Sequence, residues 1–221
     1  IGWRDLFRVF GGLTILSGGA LGYAIYTRRA PPEINNGAQI RLSNYTSLLN
    51  SKSFRHIFIV YFVEGIALFG AIGFASALMR DRFDLSYTHI GLLLSGFGIG
   101  GLMFSLSVKR LLKLFSQFQF LIFGGVLSCG AYLSLAYIQA PMGLFPIFLI
   151  LGLGFYMFHL TLQTHATVVS PRTQGTSMAL FSLAIFTGTS VGAQIFGYLI
   201  DNFSFIHAFV TAGVIMIMVT L

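Results

Sequence analysis

Long uncharged stretches of hydrophobic residues alternate with short polar segments along the chain. A helix needs roughly 20 apolar residues to cross a hydrocarbon core of about 30 Å. The stretches that reach or approach this length lie at 6–26, 57–79, 90–108, 118–138, 144–168, 176–200 and 205–221. The pattern therefore predicts an all-α, polytopic membrane protein with seven spans.

The amino-acid composition excludes other classes of protein. Hydrophobic residues make up 56% of the 221 residues and charged residues 9%, whereas about a quarter of a typical soluble chain is charged. A soluble globule is therefore excluded. The net charge of +7 is interpreted as bases that fix membrane topology rather than as a nucleic-acid surface. Cys129 is the single cysteine, so no internal disulfide and no multi-cysteine metal site is predicted.

Basic residues are distributed unequally between the two sets of alternate loops. One set holds nine of them: Arg28, Arg29, Arg41, Lys52, Arg55, Lys109, Arg110, Lys113 and Arg172. The opposite set holds four: Arg4, Arg8, Arg80 and Arg82. Because cytoplasmic loops carry an excess of Lys and Arg, we expect the first set to face the cytoplasm.

A polar segment at 27–55 separates the first predicted span from the other six. Its adjacent prolines and its Asn and Gly residues are typical of a linker. We therefore expect a cytoplasmic linker at 27–55 and a six-helix bundle at 56–221. The last hydrophobic stretch stops in mid-run at Leu221, and the first residue is Ile1, so we expect an internal piece of a longer chain with a truncated last helix.

A weak internal repeat relates two parts of the bundle. An offset of 88 residues pairs identical residues: Leu92 with Leu180, Gly100 with Gly188, Leu111 with Leu199, Phe115 with Phe203, Ser116 with Ser204, Gly125 with Gly213 and Val126 with Val214. The offset places the third and fourth spans on the sixth and seventh, which cross in opposite directions. Inverted-topology repeats of this kind occur in secondary transporters. Gly-x-x-x-Gly spacing, as in Gly96 with Gly100, predicts close helix packing.

Three stretches of sequence are similar to motifs of a known transporter family. They are Gly2-Trp3-Arg4 with Leu6-Phe7, then Ile90-Gly91-Leu92-Leu93-Leu94 through Gly96-Phe97-Gly98-Ile99-Gly100 to Lys109-Arg110, and finally Pro171-Arg172 with Gly175-Thr176-Ser177-Met178-Ala179-Leu180-Phe181-Ser182 and Gly197-Tyr198-Leu199-Ile200-Asp201. On these residues the sequence resembles the major facilitator superfamily, over its sixth helix and its C-terminal six-helix half. The resemblance is to bacterial proton-driven efflux permeases in particular.

The resemblance implies an architecture, partners and gating residues. Residues 1–26 would be the last transmembrane helix of an N-terminal half, and 56–221 would hold two inverted three-helix repeats. It implies alternating access in the cell (inner) membrane, with protons, a small-molecule substrate, the lipid bilayer and the N-terminal half of the same transporter as partners. Lys109, Arg110 and Arg172 would lie in cytoplasmic loops that gate the cavity. No cofactor, no metal and no nucleic acid is expected.

Few polar side chains lie within the predicted spans. An ionisable side chain near the bilayer centre costs at least about 2.5–3.5 kcal/mol, so each one needs an explanation. The spans contain Glu64, His159, Gln163, His165 and Gln194, on helices that face the central cavity in the family that the sequence resembles. Tyr156, His159 and Gln163 follow each other at i, i+3 and i+7, which places them on one helix face. We expect Tyr156, Gln163 and Gln194 to line a substrate cavity.

Glu64 and His159 are the candidates for proton coupling. Each lies about 15 Å along its helix from the cytoplasmic end, so the two share a depth. If both face the cavity, His159 or Gln163 can hydrogen-bond the Glu64 carboxylate in one state and release it in the other. Desolvation in a closing cavity disfavours the charged form of a carboxyl group. The alternatives are a structural carboxylate that holds helices together and a neutral imidazole bonded within the bundle.

The resemblance to efflux permeases implies export, whereas the residues themselves bear on the kind of cargo. The spans carry no Lys or Arg at depth, which favours neutral or cationic, lipophilic cargo over an anion. Together with the resemblance, this predicts secondary active, proton-coupled export by an antiporter. The alternatives are proton-coupled uptake of a sugar or organic acid, and a transporter-like sensor or scaffold that moves nothing. No enzyme activity is expected, because the chain lacks the H-E-x-x-H motif of an intramembrane zinc protease.

Overall fold

The computed structural model describes residues 3–28, 42–169 and 174–220, and every regular element in these ranges is helical. Within these ranges, six helical segments are long and apolar enough to cross a membrane. They are Phe7–Thr27, Lys52–Phe83, Tyr87–Leu111, Gln117–Ala136, Pro141–Val168 and Gln174–Asn202, and a shorter apolar helix covers Phe205–Thr220. The all-α, polytopic architecture predicted from the sequence is confirmed.

The chain forms two compact units, Ile1–Gln39 and Ile40–Leu221. The described part of the first unit is a single helix, α1 (Trp3–Arg28). Hydroxyl groups along α1 donate to carbonyl oxygens of the preceding turn, as Thr14 does to Phe10 at 2.8 Å. The hydroxyl groups of Thr14, Ser17 and Thr27 are thus satisfied within the helix, as a hydrocarbon environment requires.

The second unit contains the remaining helices. In chain order they are α2 (Leu42–Asn50), α3 (Lys52–Glu64), a π-helical segment (Gly65–Gly70), α4 (Ala75–Phe83), α5 (Tyr87–Leu111), α6 (Gln117–Ala136), a 3₁₀ turn (Pro141–Gly143), α7 (Leu144–Val169), α8 (Gln174–Asn202) and α9 (Phe205–Thr220). The second predicted span is therefore an interrupted helix, made of α3, the π-helical segment and α4.

The second half of the predicted linker at 27–55 differs from the expectation. Helix α2 lies within it, and α3 begins at Lys52 rather than at the predicted bundle boundary of 56. Tyr45 and Leu48, three residues apart on one face of α2, pack against the hydrophobic core of the second unit. The hydrophobic pattern did not predict this helix, because Tyr45 and Leu48 connect it to the core whereas its other residues are mostly polar. Residues 29–41 lie outside the described part of the chain.

Glycines bring two pairs of helices into backbone contact. A methyl group added to Gly100 of α5 would overlap the Leu149 carbonyl oxygen of α7. A methyl group added to Gly188 of α8 would overlap the Phe62 carbonyl oxygen of α3 in the same way. Neither position can hold a larger side chain without separating its helices, which agrees with the packing predicted from small-residue spacing.

These two contacts are equivalent under the predicted repeat. The offset of 88 residues pairs Gly100 with Gly188, and their partners Leu149 and Phe62 are 87 residues apart. If the two three-helix units are exchanged, α5 takes the place of α8 and α7 takes the place of α3. The contact of α5 with α7 then corresponds to the contact of α8 with α3. The superposition of the third and fourth spans on the sixth and seventh, about an axis in the membrane plane, stays a prediction.

Arg82 joins the end of α4 to the end of α6. Its guanidinium group donates to the Ile138 carbonyl oxygen at 2.8 Å and to that of Ala136 at 3.4 Å. Asp84 ends α4 in the left-handed region, at φ 46°, and pairs with Arg80 at 3.3 Å. The loops after α4 and α6 thus lie at one end of the bundle, as the alternate-loop assignment requires. Which end faces the cytoplasm stays a prediction.

Candidate functional site

Glu64 and His159 are hydrogen-bonded to each other across the bundle. Glu64 is the last residue of α3, and His159 lies near the middle of α7. Glu64 Oε1 and His159 Nδ1 are 3.1 Å apart. Glu64 is fully buried, whereas the His159 side chain is 19% exposed. The two side chains that were expected to share a depth are therefore in contact.

The buried pair is electrically neutral when it holds one proton more than a carboxylate beside a neutral imidazole. This proton can reside on the carboxyl group or on the imidazole, and in either form one hydrogen bond joins the two groups. Glu64 Oε2 has no hydrogen-bond partner among the described residues. Burying an ion without a compensating charge costs several kcal/mol, so burial favours the neutral pair over the negatively charged one. The arrangement is suited to holding and releasing a proton.

Aromatic rings hold the imidazole of His159 in place. Phe155 stacks on it with ring centroids 4.9 Å apart, and Tyr61 meets it edge-on at 5.3 Å. The Tyr61 hydroxyl donates to the His159 carbonyl oxygen at 3.4 Å, and the Tyr61 ring stacks on Phe181 at 4.8 Å. These contacts fix the ring orientation that directs Nδ1 towards Glu64.

The π-helical segment Gly65–Gly70 begins immediately after Glu64. Hydrogen bonds in a π-helix connect residues i and i+5, so residues five apart lie close to one face. In an α-helix five residues turn about 500°, which leaves them roughly 140° apart. Glu64 and Phe69 consequently both face α7, where Phe69 meets the ring of Phe155 at 5.2 Å. Phe155 and His159 are themselves four residues apart on α7.

A groove of about 240 Å³ opens beside the pair, between the second span, α7 and α8. Its walls are mainly aromatic and aliphatic, and they carry no Lys, Arg, Asp or Glu side chain. The lining includes Tyr61, Phe69, His159, Gln163, Phe181 and Phe186. His159 therefore contacts both the groove and the buried carboxyl group, whereas Glu64 is not part of the lining.

Two of the residues expected in the cavity do not line this groove. Tyr156 packs against α5, where a methyl group added to Gly101 would overlap the Tyr156 ring. The ring thus fills the space that this glycine leaves between α5 and α7. Gln194 lies exposed on α8, two residues and about 200° around the helix from buried Gly192. Gln163 does line the groove, one helical turn beyond His159, and a substrate role for all three residues stays a prediction.

The structure describes two of the three basic residues that were expected to gate the cytoplasmic side. Lys109 and Arg110 are exposed in the last turn of α5. Arg172 lies outside the described residues. Their gating role stays a prediction. The described residues also contain no group of three or more His, Cys, Asp or Glu side chains that could hold a metal ion.

Sequence reasoning missed the aromatic residues that build the site. Tyr61 precedes Glu64 by three residues on one helix face, so helical spacing could have found it. Phe69 could not be found in this way, because α-helical spacing places it away from Glu64. The chain contains 24 Phe residues, and no pattern distinguishes those of the groove from those that face lipid.

The sequence profile of the Major Facilitator Superfamily matches residues 1–193. A curated relative in Bacillus subtilis (strain 168), named as the uncharacterized MFS-type transporter YceJ, is 25% identical over 162 residues. The matched region covers 72% of this chain and 40% of that relative, so the chain spans less than half of the relative's length. No solved structure gives a significant match.

Proposed function

The chain belongs to the Major Facilitator Superfamily, and we propose that it forms part of a secondary active transporter that exports a small, lipophilic, neutral or cationic solute in exchange for protons. Transport proceeds by alternating access in the cell membrane, together with an N-terminal half of the same transporter. The observation that carries this proposal is the contact of His159 with both the aromatic groove and the buried Glu64.

Proton exchange at this site follows from the difference in exposure. Glu64 is fully buried, so protons reach it through His159, whose side chain is partly exposed in the groove. When the groove is open to water, the pair can lose a proton because water solvates the charge that remains. Before the groove closes, the pair takes up a proton from water on one side, because the charged form would be costly once water is excluded. Coupling results if the two events occur on opposite sides of the membrane.

The lining of the groove favours lipophilic cations and neutral solutes. The rings of Tyr61, Phe69, Phe181 and Phe186 offer apolar surface and π-faces, which attract cations when desolvated. Gln163 adds a neutral polar group. An organic acid, the cargo of the alternative uptake function, would leave its carboxylate without a Lys or Arg partner in this lining.

Proton flux in proteoliposomes of the full-length protein tests the proposal. Tetraphenylphosphonium, a lipophilic cation, serves as the probe, and trapped pyranine reports internal pH. We expect outward movement of the probe to bring protons in, and Glu64→Gln to abolish this coupling while the probe still binds or equilibrates. Asp201→Asn, which removes an exposed carboxylate, is the matched control and keeps the coupling.

Three results would contradict the proposed function or the role of Glu64 in it. Undiminished coupled flux in Glu64→Gln would remove the proton role of this carboxyl group. Reduced folded yield with normal coupling would make Glu64 a structural residue. Absence of any solute-coupled flux in the wild-type protein, over a panel of cations, sugars and organic acids, would favour the sensor or scaffold alternative.

A further inference from the structure

Tyr132 of α6 contacts the π-helical segment at a backbone carbonyl oxygen. It is fully buried, and its hydroxyl donates to the Leu68 carbonyl oxygen at 2.7 Å. The same carbonyl oxygen accepts the Ala71 N–H, where the π-helical segment ends. Tyr132 stacks on Phe209 of α9 with ring centroids 6.1 Å apart, which holds the ring in place. One side-chain hydrogen bond thus fastens the irregular part of the second span to α6.

A continuous set of contacts leads from this hydrogen bond to the candidate proton site. Phe69, the residue after Leu68, meets Phe155 at 5.2 Å. Phe155 stacks on the imidazole of His159 at 4.9 Å, and His159 bonds Glu64. A rotation of the segment around Leu68 would therefore move Phe69 and disturb the ring that supports His159.

We propose that Tyr132 is a positioning residue for the Glu64–His159 pair, because its hydrogen bond to Leu68 holds the π-helical segment in the register that turns Glu64 and Phe69 towards α7. The proton role of the pair belongs to the proposed function, whereas the positioning by Tyr132 is independent of it. Tyr132 would act from outside the groove, since neither Tyr132 nor Leu68 lines it.

The geometry of the two helix types explains why one hydrogen bond matters. If Gly65–Gly70 returned to regular α-helix, Phe69 would lie roughly 140° from Glu64 around the axis. Both side chains could not then face α7. On the side of α8 the segment has no room to shift, because a methyl group on Gly70 would meet the Gly192 Cα at 2.7 Å. The Tyr132 hydroxyl supplies the attachment on the side of α6.

The test uses Tyr132→Phe in the full-length protein in lipid nanodiscs, which keeps the ring and removes the hydroxyl. The infrared band of the Glu64 carboxyl group, identified by its loss in Glu64→Gln, reports the surroundings of that group without any transport measurement. We expect Tyr132→Phe to shift this band, and the exposed-tyrosine control Tyr198→Phe to leave it unchanged. Phe209→Leu weakens the packing around Tyr132 but keeps its hydroxyl, so we expect lower thermal stability with the band in its wild-type position.

An unshifted band in folded Tyr132→Phe overturns the proposal, and so does an equal shift in Phe209→Leu, which would assign the effect to packing. If Tyr132→Phe does not fold, hydrogen exchange of the wild-type protein decides. Protection of Gly65–Gly70 equal to that of α3 supports an anchored segment, and markedly faster exchange contradicts it. A protein without proton flux would remove the proposed transport function but leave the band measurement valid, so the two failures are distinguishable.

Discussion

The carboxyl group of Glu64 and the imidazole of His159 are joined at 3.1 Å, although 95 residues separate them in the chain. Only His159 of the two reaches the groove. A solute that covers the exposed edge of the imidazole therefore also covers the path to the buried carboxyl group. Under the proposed function, binding in the groove and proton exchange would compete for one side chain.

Removal of the imidazole should destabilise the protein more than removal of both partners. Loss of one member of a buried hydrogen-bonded pair typically costs about 1–3 kcal/mol, because the other is left without its partner. We expect a loss of this size in His159→Ala and partial recovery in the double variant His159→Ala with Glu64→Gln. Thermal unfolding of the wild type, both single variants and the double variant in one detergent measures the effect. Strictly additive changes would show that the two groups are not coupled.

A lipophilic cation should protect one side of α8 from chemical labelling. Ser182 lines the groove, whereas Ser190 is exposed on the same helix outside the lining. With Cys129→Ala as the background, we expect tetraphenylphosphonium to slow maleimide labelling of Ser182→Cys severalfold and to leave Ser190→Cys unaffected. Equal labelling of Ser182→Cys with and without the cation would argue against binding in this groove.

The equivalent glycines should respond alike to an added methyl group. Gly100→Ala and Gly188→Ala would each force a methyl group into a facing carbonyl oxygen, and overpacking of this kind typically costs about 1–3 kcal/mol. Gly98 of α5 has no atom within 4 Å of the added methyl position, so Gly98→Ala should be neutral or slightly stabilising. Midpoints of thermal unfolding compare the three. Unchanged stability in either tight variant would mean that the helices separate easily there.

Two exposed serines should report opposite sides of the membrane. Ser53 lies at the start of α3 and Ser86 precedes α5, with one complete span between them. In the Cys129→Ala background, we expect an impermeant maleimide to label Ser86→Cys in intact cells and Ser53→Cys only in inverted vesicles. Labelling of both from the same side would overturn the topology, and the reverse pattern would overturn the orientation.

The lengths of the hydrophobic stretches predicted most of the architecture, because they reflect the surrounding lipid rather than particular neighbours. The span boundaries follow from hydrophobic length, and the contact of Glu64 with His159 follows from equal depth on two helices. Equal depth predicts a meeting only when both side chains point inward, and two residues show the limit of that argument. Tyr156 faces α5, and Gln194 faces away from the helix contacts of α8.

The remaining features depend on neighbours that are distant in sequence. The π-helical segment accepts a hydrogen bond from Tyr132, which is 64 residues from Leu68. No local sequence pattern predicts that Tyr132 is the partner of this segment. Helix α2 was missed for a similar reason, since it is anchored by Tyr45 and Leu48 against a core formed elsewhere in the chain.

Arg82 attaches the second half of the interrupted span to α6, whereas Gly188 of α8 lies against its first half. The span therefore connects α6 with α8, and between the two attachments the π-helical segment is itself held, because Tyr132 of α6 bonds the Leu68 carbonyl oxygen and Gly70 lies against Gly192 of α8. A relative displacement of α6 and α8 would therefore move this segment and, with it, Glu64, which immediately precedes it. We expect such a displacement to change the surroundings of the Glu64 carboxyl group, even if α7 stayed still.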